Sequence, residues 1–206
     1  MGERSRQAKA RKPYRLQARA QAMERTRARI TAAAIHLHGS VGPAATTMSA
    51  VAERAGVTRA TLYRHFPSEA ALFAACSAEW RAHNPAPDPA AWATVADPGE
   101  RVEVALLELY AWYRGTEAMR ANLLRDLHVM PDPIQAGIAA YPGTVLEALD
   151  VGWPTPARLR RAAIAHAVAF ATWRSLATHG LSDADAVRLM TDLVHGAGRP
   201  GPGDDS

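Results

Sequence analysis

The chain has 206 residues, 48% of them hydrophobic, enough for one or two domains with a substantial core; this excludes an intrinsically disordered protein. A single cysteine, Cys76, excludes an intramolecular disulfide and fits a reducing compartment. The net charge of +4 hides a split, because residues 1–84 hold 14 Lys and Arg against 5 Asp and Glu, whereas residues 85–206 hold 10 against 15; a basic front predicts a polyanionic partner.

Residues 1–20 are rich in Arg, Lys, Gln and Ala, with seven basic residues against Glu3, and predict a flexible basic arm. No apolar run approaches the roughly 18 residues of a membrane span, and the N-terminus lacks an apolar h-region, so a cytoplasmic protein is expected. The first helix is predicted over 22–38, where Ile30, Ala33, Ala34 and Leu37 follow helical spacing and Gly39 is a stop. Thr47 caps a second helix over 48–55, which Gly56 ends. Thr58 caps a third, with Val57 and Leu62 placed as a hydrophobic staple. Ser68 caps a fourth, running to His83. Three prolines in "NPAPDPAAW", from Asn84 to Trp92, mark a domain boundary.

Beyond it, Asp97-Pro98-Gly99-Glu100 starts a fifth helix that Gly115 is expected to end, and Thr116 caps a sixth. Asp132-Pro133 starts a seventh, which Pro142 should kink or break. Thr155-Pro156 starts an eighth, ended by Gly180, and Ser182 with Asp185 forms a capping box for a ninth, ending near His195. The Gly, Pro and Asp tail over 198–206 is expected to be disordered. The fold class that follows is all-α, with about nine helices and no strand alternation.

The second and third helices are short and joined by Ala55-Gly56-Val57, with Val51, Ala55, Val57, Leu62 and Phe66 as an apolar seam. That is helix-turn-helix geometry, in which one helix braces on the DNA backbone and the next enters the major groove. In the third helix Thr58, Arg59 and Thr61 have the size and chemistry to reach base edges, and Arg59 can donate two hydrogen bonds to a guanine. Ala60 permits close approach, while Tyr63 and His65 can donate to phosphates. The same residues also fit an αα-hairpin with a solvated arginine.

The stretch "TTMSAVAERAGVTRATLYRHFPSEAALF" resembles the signature of the tetracycline-repressor-like (TetR) transcriptional regulators, through Thr47, Val51-Ala52, Ala55-Gly56-Val57, Leu62-Tyr63, His65-Phe66, Ser68 and Leu72. The likeness is close over about 30 residues. It implies an N-terminal three-helix DNA-binding domain over 21–84 and a C-terminal ligand-binding and dimerisation domain over 85–197. By position, Thr47, Tyr63 and His65 would hold phosphates. Met48, Ser49, Thr58, Arg59, Ala60 and Thr61 would face the groove of a palindromic double-stranded operator. Two positions depart from the family: Glu69 stands where Lys is usual, and His38 where Phe is usual. The basic arm would either follow the adjacent minor groove and phosphates or serve as a solubilising tail.

Aromatic and Met residues of the second half could line a pocket for an apolar or aromatic effector, and the set singled out is Trp112, Met119, Leu123, His128, Tyr141, His166, Phe170 and Trp173. In TetR-like proteins the last two helices pair with their copies; here Ala163, Ala167 and Ala171, with Val187, Met190, Leu193 and Val194, would either supply that homodimer face or be buried within one chain. No metal-ligand spacing, phosphate loop or nucleophile elbow occurs, so no cofactor, metal or catalytic residue is predicted and the chain reads as a non-enzyme. The reading is a ligand-responsive repressor. Its rivals are a nonspecific nucleoid-type DNA binder and a helical small-molecule-binding protein or enzyme with a vestigial DNA-binding head.

Overall fold

The computed structural model describes residues 3–154 and 158–197, with side chains from residue 17 onward. Among them lie nine α-helices and no strand: α1 (Glu3–Ser40), α2 (Met48–Arg54), α3 (Arg59–His65), α4 (Glu69–His83), α5 (Pro98–Arg125), α6 (Asp132–Leu149), α7 (Arg158–Ala167), α8 (Phe170–Thr178) and α9 (Asp183–Ala197). No described helix is long and apolar enough to cross a membrane. The described residues fall into two compact units, one within Met1–His83 together with Asn122–Val129 and the other within Asn84–Ala121 and Met130–Ser206. The stretch Asn122–Val129, inside the predicted 85–197 domain, thus packs with the first unit.

The helix starts follow local chemistry. Thr47 Oγ1 accepts from the Ala50 amide, Thr58 from Thr61, Ser68 from Ala71, Asp97 from Glu100 and Ser182 from Asp185, at 2.7–3.2 Å. Each side chain satisfies an amide that the first helical turn leaves without a backbone partner.

Four boundaries differ from expectation. α1 begins at Glu3, so the stretch predicted as a flexible arm is helical from that residue; Ala, Arg, Lys and Gln are strong helix formers and no glycine interrupts them before Gly39. α5 runs through Gly115 to Arg125, and Thr116 donates to the Trp112 carbonyl instead of capping a new helix. An isolated glycine costs only about 1 kcal/mol, less than the burial of Leu109, Tyr110 and Tyr113 returns. α6 passes through Pro142 without ending, because Val145 and Leu149 beyond it are buried. The predicted eighth helix is two, α7 and α8, separated at Val168 and Ala169. Its predicted start at Thr155-Pro156 and the tail over 198–206 lie outside the described residues.

In the first unit Ile30 and Ala34 of α1 pack on Val51, Leu62, Phe66, Leu72 and Cys76. Asn122 donates to the carbonyls of His38 and Gly39, and Asp126 accepts from the Ala44 amide, so the 122–129 segment satisfies the end of α1 and the turn after it. Arg125 hydrogen-bonds the Asp126 carboxyl and holds its pKa down at about 2. In the second unit α5 supplies Leu106, Leu109 and Tyr110 to a core completed by Ile164, Trp173, Val187 and Val194. Trp92, from the proline-rich boundary, is buried in that core, its indole N–H donating to Glu108 at 2.8 Å.

Candidate functional site

The turn between α2 and α3 is built from backbone. Gly56 has φ +63°, a left-handed conformation that costs a residue without Cβ little. The Val57 amide reaches back to the Ala52 carbonyl at 3.0 Å and the Gly56 amide to Glu53, closing the end of α2. α3 then leaves at an angle fixed by Leu62 and Phe66, both essentially inaccessible to solvent.

Opposite those two residues lies the outer face of α3. Thr58, Arg59, Ala60, Tyr63 and Arg64 are exposed, and Thr61 and His65 are half-buried. The Arg59 guanidinium carbon stands 5.9 Å from the centre of the Tyr63 ring. Thr58 spends its hydroxyl on Thr61, donating to that side chain and accepting from its amide, which makes both first of all cap residues. Thr47 and Ser49 are exposed at the start of α2. Met48 is not: it is 6% exposed and belongs to the first unit's core, because the first turn of α2 rolls that position inward. The predicted groove contact at Met48 is therefore corrected to a packing residue. Glu69 is exposed in the first turn of α4, where the helix dipole favours a carboxylate.

Two arginines of α1, missed in the sequence, support this face. Arg27 donates to the His65 carbonyl at 3.0 Å and lies 4.2 Å above the Phe66 ring, which ties the end of α3 to α1. Arg29, exposed, reaches the Gly56 carbonyl at 3.5 Å. Neither belongs to the apolar spacing of α1, and only the packing reveals what they hold.

The residues singled out in the second half separate. Trp112, Tyr141, Phe170 and Trp173 come together in one aromatic cluster of the second unit, around Tyr113, which was not singled out. Met119 is half-buried. Leu123 and His128 belong to the first unit, and His166 is exposed, its Nδ1 3.3 Å from the Thr172 hydroxyl. Burial pushes the Tyr113 phenol up to about 12 and those of Tyr110 and Tyr141 higher still, so all three are neutral hydrogen-bond donors. Arg120, also missed, sits among these rings. Among the described residues no group of three or more His, Cys, Asp or Glu could hold a metal ion.

The predicted dimer face also divides. Ala163, Ala167, Val187, Met190 and Val194 are buried within the chain's own core, which leaves Ala171, Leu189 and Leu193 outward, with Leu159 on α7. Those five pack within the chain's own core, so the exposed Ala171, Leu189, Leu193 and Leu159 are what these helices offer a second copy.

A family model described as bacterial regulatory proteins, tetR family, matches residues 30–76, the span from the middle of α1 to Cys76 of α4. Among solved structures, a TetR-like transcriptional regulator from Rhodococcus sp. RHA1 is similar to this chain over 84% of it and 97% of the other, at 21% identity and a TM-score of 0.61. A second TetR transcriptional regulator from the same organism covers 84% of this chain and 96% of its own, at 22% identity and a TM-score of 0.43. No curated protein matches the chain.

Proposed function

We propose that the chain, whose residues 30–76 match the tetR family model of bacterial regulatory proteins, is a member of that family and a sequence-specific repressor, acting as a homodimer on an inverted-repeat operator and released by a small effector. The match over residues 30–76 supports a DNA-binding transcriptional regulator; operator, pairing and effector go further.

One observation carries the reading. α3 is held from behind by Leu62 and Phe66 while Arg59, Ala60, Tyr63 and Arg64 occupy its free face. Any amphipathic helix seats its apolar face in this way; what distinguishes α3 is the set of long donors, Arg59, Tyr63 and Arg64, that its outer face carries on that seat. Arg59 supplies a bidentate donor for a guanine edge, Tyr63 a phosphate donor, and Thr47 and Ser49 further hydroxyls. A helix of seven residues reads only a few base pairs, so useful specificity needs a second copy one helical turn away.

The effector step is an equilibrium between a dimer whose recognition helices match successive major grooves and one whose helices do not. The aromatic cluster of the second unit supports an effector with an apolar body. Trp112 and Tyr141, half-buried, are the residues offered for it, with Phe170 and Trp173 packed behind them in the core.

Selection of bound DNA from a random pool tests the reading. The expected product is an inverted repeat with half-sites about 10 base pairs apart, bound at least about 10³-fold more tightly than random DNA. Uniform binding to every sequence would make the chain a nonspecific DNA binder and overturn the proposal.

A further inference from the structure

The second unit contains a cation, Arg120, for which the described residues supply no hydrogen-bond acceptor at Nε. The Arg120 guanidinium carbon lies 3.8 Å from the centre of the Trp112 ring, 5.0 Å from Tyr113 and 5.7 Å from Phe170. Its Nε is buried and has no hydrogen-bond partner. Among the described residues no carboxylate pairs with it.

Other arginines of the same unit are used differently. Arg101 gives its donors to the carbonyls of Val95, Ala96 and Val151. Arg114 pairs with Asp183, Arg161 with Asp150 and Arg174 with Glu117. These are ties that hold the chain together. Arg120 ties nothing: a guanidinium carries five N–H donors, and the rings around it offer only π faces. The polar ends of those rings are engaged elsewhere, Trp112 on the Asn84 carbonyl, Tyr113 on Val168 and, beside Trp112, Tyr141 on Pro87. The buried Nε is the one donor that neither the described chain nor solvent satisfies, and an acceptor arriving at the guanidinium would recover that cost. Burial depresses the Arg120 pKa, but a guanidinium stays charged at any working pH.

We propose that Arg120, framed by Trp112, Tyr113 and Phe170, anchors the carboxylate of a small monoanionic effector whose aromatic or aliphatic body lies against the rings. The inference rests on the effector-responsive reading above and names the chemical class of the effector. The planar guanidinium fork matches a carboxylate, and the rings match an apolar body. A phosphate dianion would call for a second cation, and among the described residues Arg120 alone lies over these three rings. A quaternary ammonium ligand would be repelled by the same charge.

The test uses the full-length chain, with tryptophan fluorescence and melting temperature read against benzoate and octanoate, their amides benzamide and octanamide, inorganic phosphate and benzyltrimethylammonium. The carboxylates should bind saturably, raise the melting temperature and exceed their amides in affinity by tenfold or more. Arg120→Met keeps the apolar stem; it should lose that preference and melt, ligand-free, no lower than the parent. Arg120→Lys should keep part of the preference, and Arg174→Met all of it. The proposal falls if amides bind as well as acids, if Arg120→Met binds the acids unchanged, if phosphate or the ammonium compound binds better, or if no carboxylate binds. A lower melting temperature for ligand-free Arg120→Met would make Arg120 a packing residue and also overturn it. A parallel arm measures binding to the selected operator. Operator binding without carboxylate binding defeats the anchor and leaves the regulator standing; carboxylate binding at Arg120 without operator preference does the reverse.

Discussion

The Tyr113 hydroxyl donates a 2.6 Å hydrogen bond to the carbonyl of Val168, the residue just past the last turn of α7. Tyr110, nearly one turn earlier on α5, donates to the Ala167 carbonyl at 2.8 Å. In an uninterrupted helix those carbonyls would accept from amides four residues on. Ala169 is instead extended at φ −73°, ψ 133°, and the Thr172 and Trp173 amides turn to the Ala169 carbonyl. The two phenols satisfy the carbonyls the break sets free, and the break lets α8 turn Phe170 and Trp173 toward Tyr113.

Tyr113→Phe and Tyr110→Phe should therefore each lower stability by about 1–3 kcal/mol, the cost of leaving a buried carbonyl unsatisfied. Urea unfolding monitored by circular dichroism measures this. Unchanged midpoints for both would mean that water replaces the phenols and that the break is held by packing alone.

The break also shows where sequence reading stops. Caps at Thr47, Thr58, Ser68, Asp97 and Ser182 were legible because donor and acceptor lie within three residues. The α2–turn–α3 unit was legible for the same reason, with Gly56 where the backbone turns left-handed. Nothing local marks Val168 as a helix end: the residues around it are alanines, and the groups that end α7 come from 55 and 57 positions away. Met48 misled because resemblance gives a position without the rotation that buries it. Arg120 was invisible because its environment is assembled from α5 and α8.

Arg59 and Tyr63 should separate specificity from affinity. Arg59→Ala is expected to cost about 1–3 kcal/mol on the selected operator and to relax preference at one base pair per half-site. Tyr63→Phe should weaken binding nearly equally on all sequences, as loss of a phosphate contact does. Binding titrations on a set of single-base operator variants distinguish the two. An equal loss on every sequence for Arg59→Ala would reassign that residue to the backbone.

The outward apolar residues of α9 test the homodimer. Leu189 and Leu193 are 47% and 42% exposed, one turn apart on a helix whose Val187, Met190 and Val194 are in the core. Leu193→Glu should shift the chain toward monomer in analytical ultracentrifugation and weaken operator binding by tenfold or more, with little effect on the fold because the site is exposed in the single chain. A dimer of undiminished affinity would place the pairing face elsewhere.

His38 sets a pH dependence on the first unit. It is buried, with its ring 4.9 Å from that of Phe73 and its Nδ1 3.6 Å from the Cys76 sulfur. Burial lowers its pKa from 6.5 to about 4 and raises that of the Cys76 thiol to about 11, so both are neutral at pH 7. Between pH 6.5 and 4 the unfolded chain takes up a proton at His38 that the folded chain refuses. Stability is then present in full above the unfolded value and falls as pH drops through this window, by about 3 kcal/mol in total. Below pH 4 the folded form also binds the proton, and this contribution to the slope ends. His38→Phe, which installs the residue the TetR resemblance leads one to expect, removes the titrating group and keeps a ring beside Phe73. Its urea midpoint should fall less than the parent's between pH 7 and pH 4.5, while a Glu69→Gln control, altered at an exposed carboxylate, should follow the parent. Parallel curves for His38→Phe and the parent would show that His38 is protonated without opening the core, and that the acid sensitivity of this unit lies in other groups.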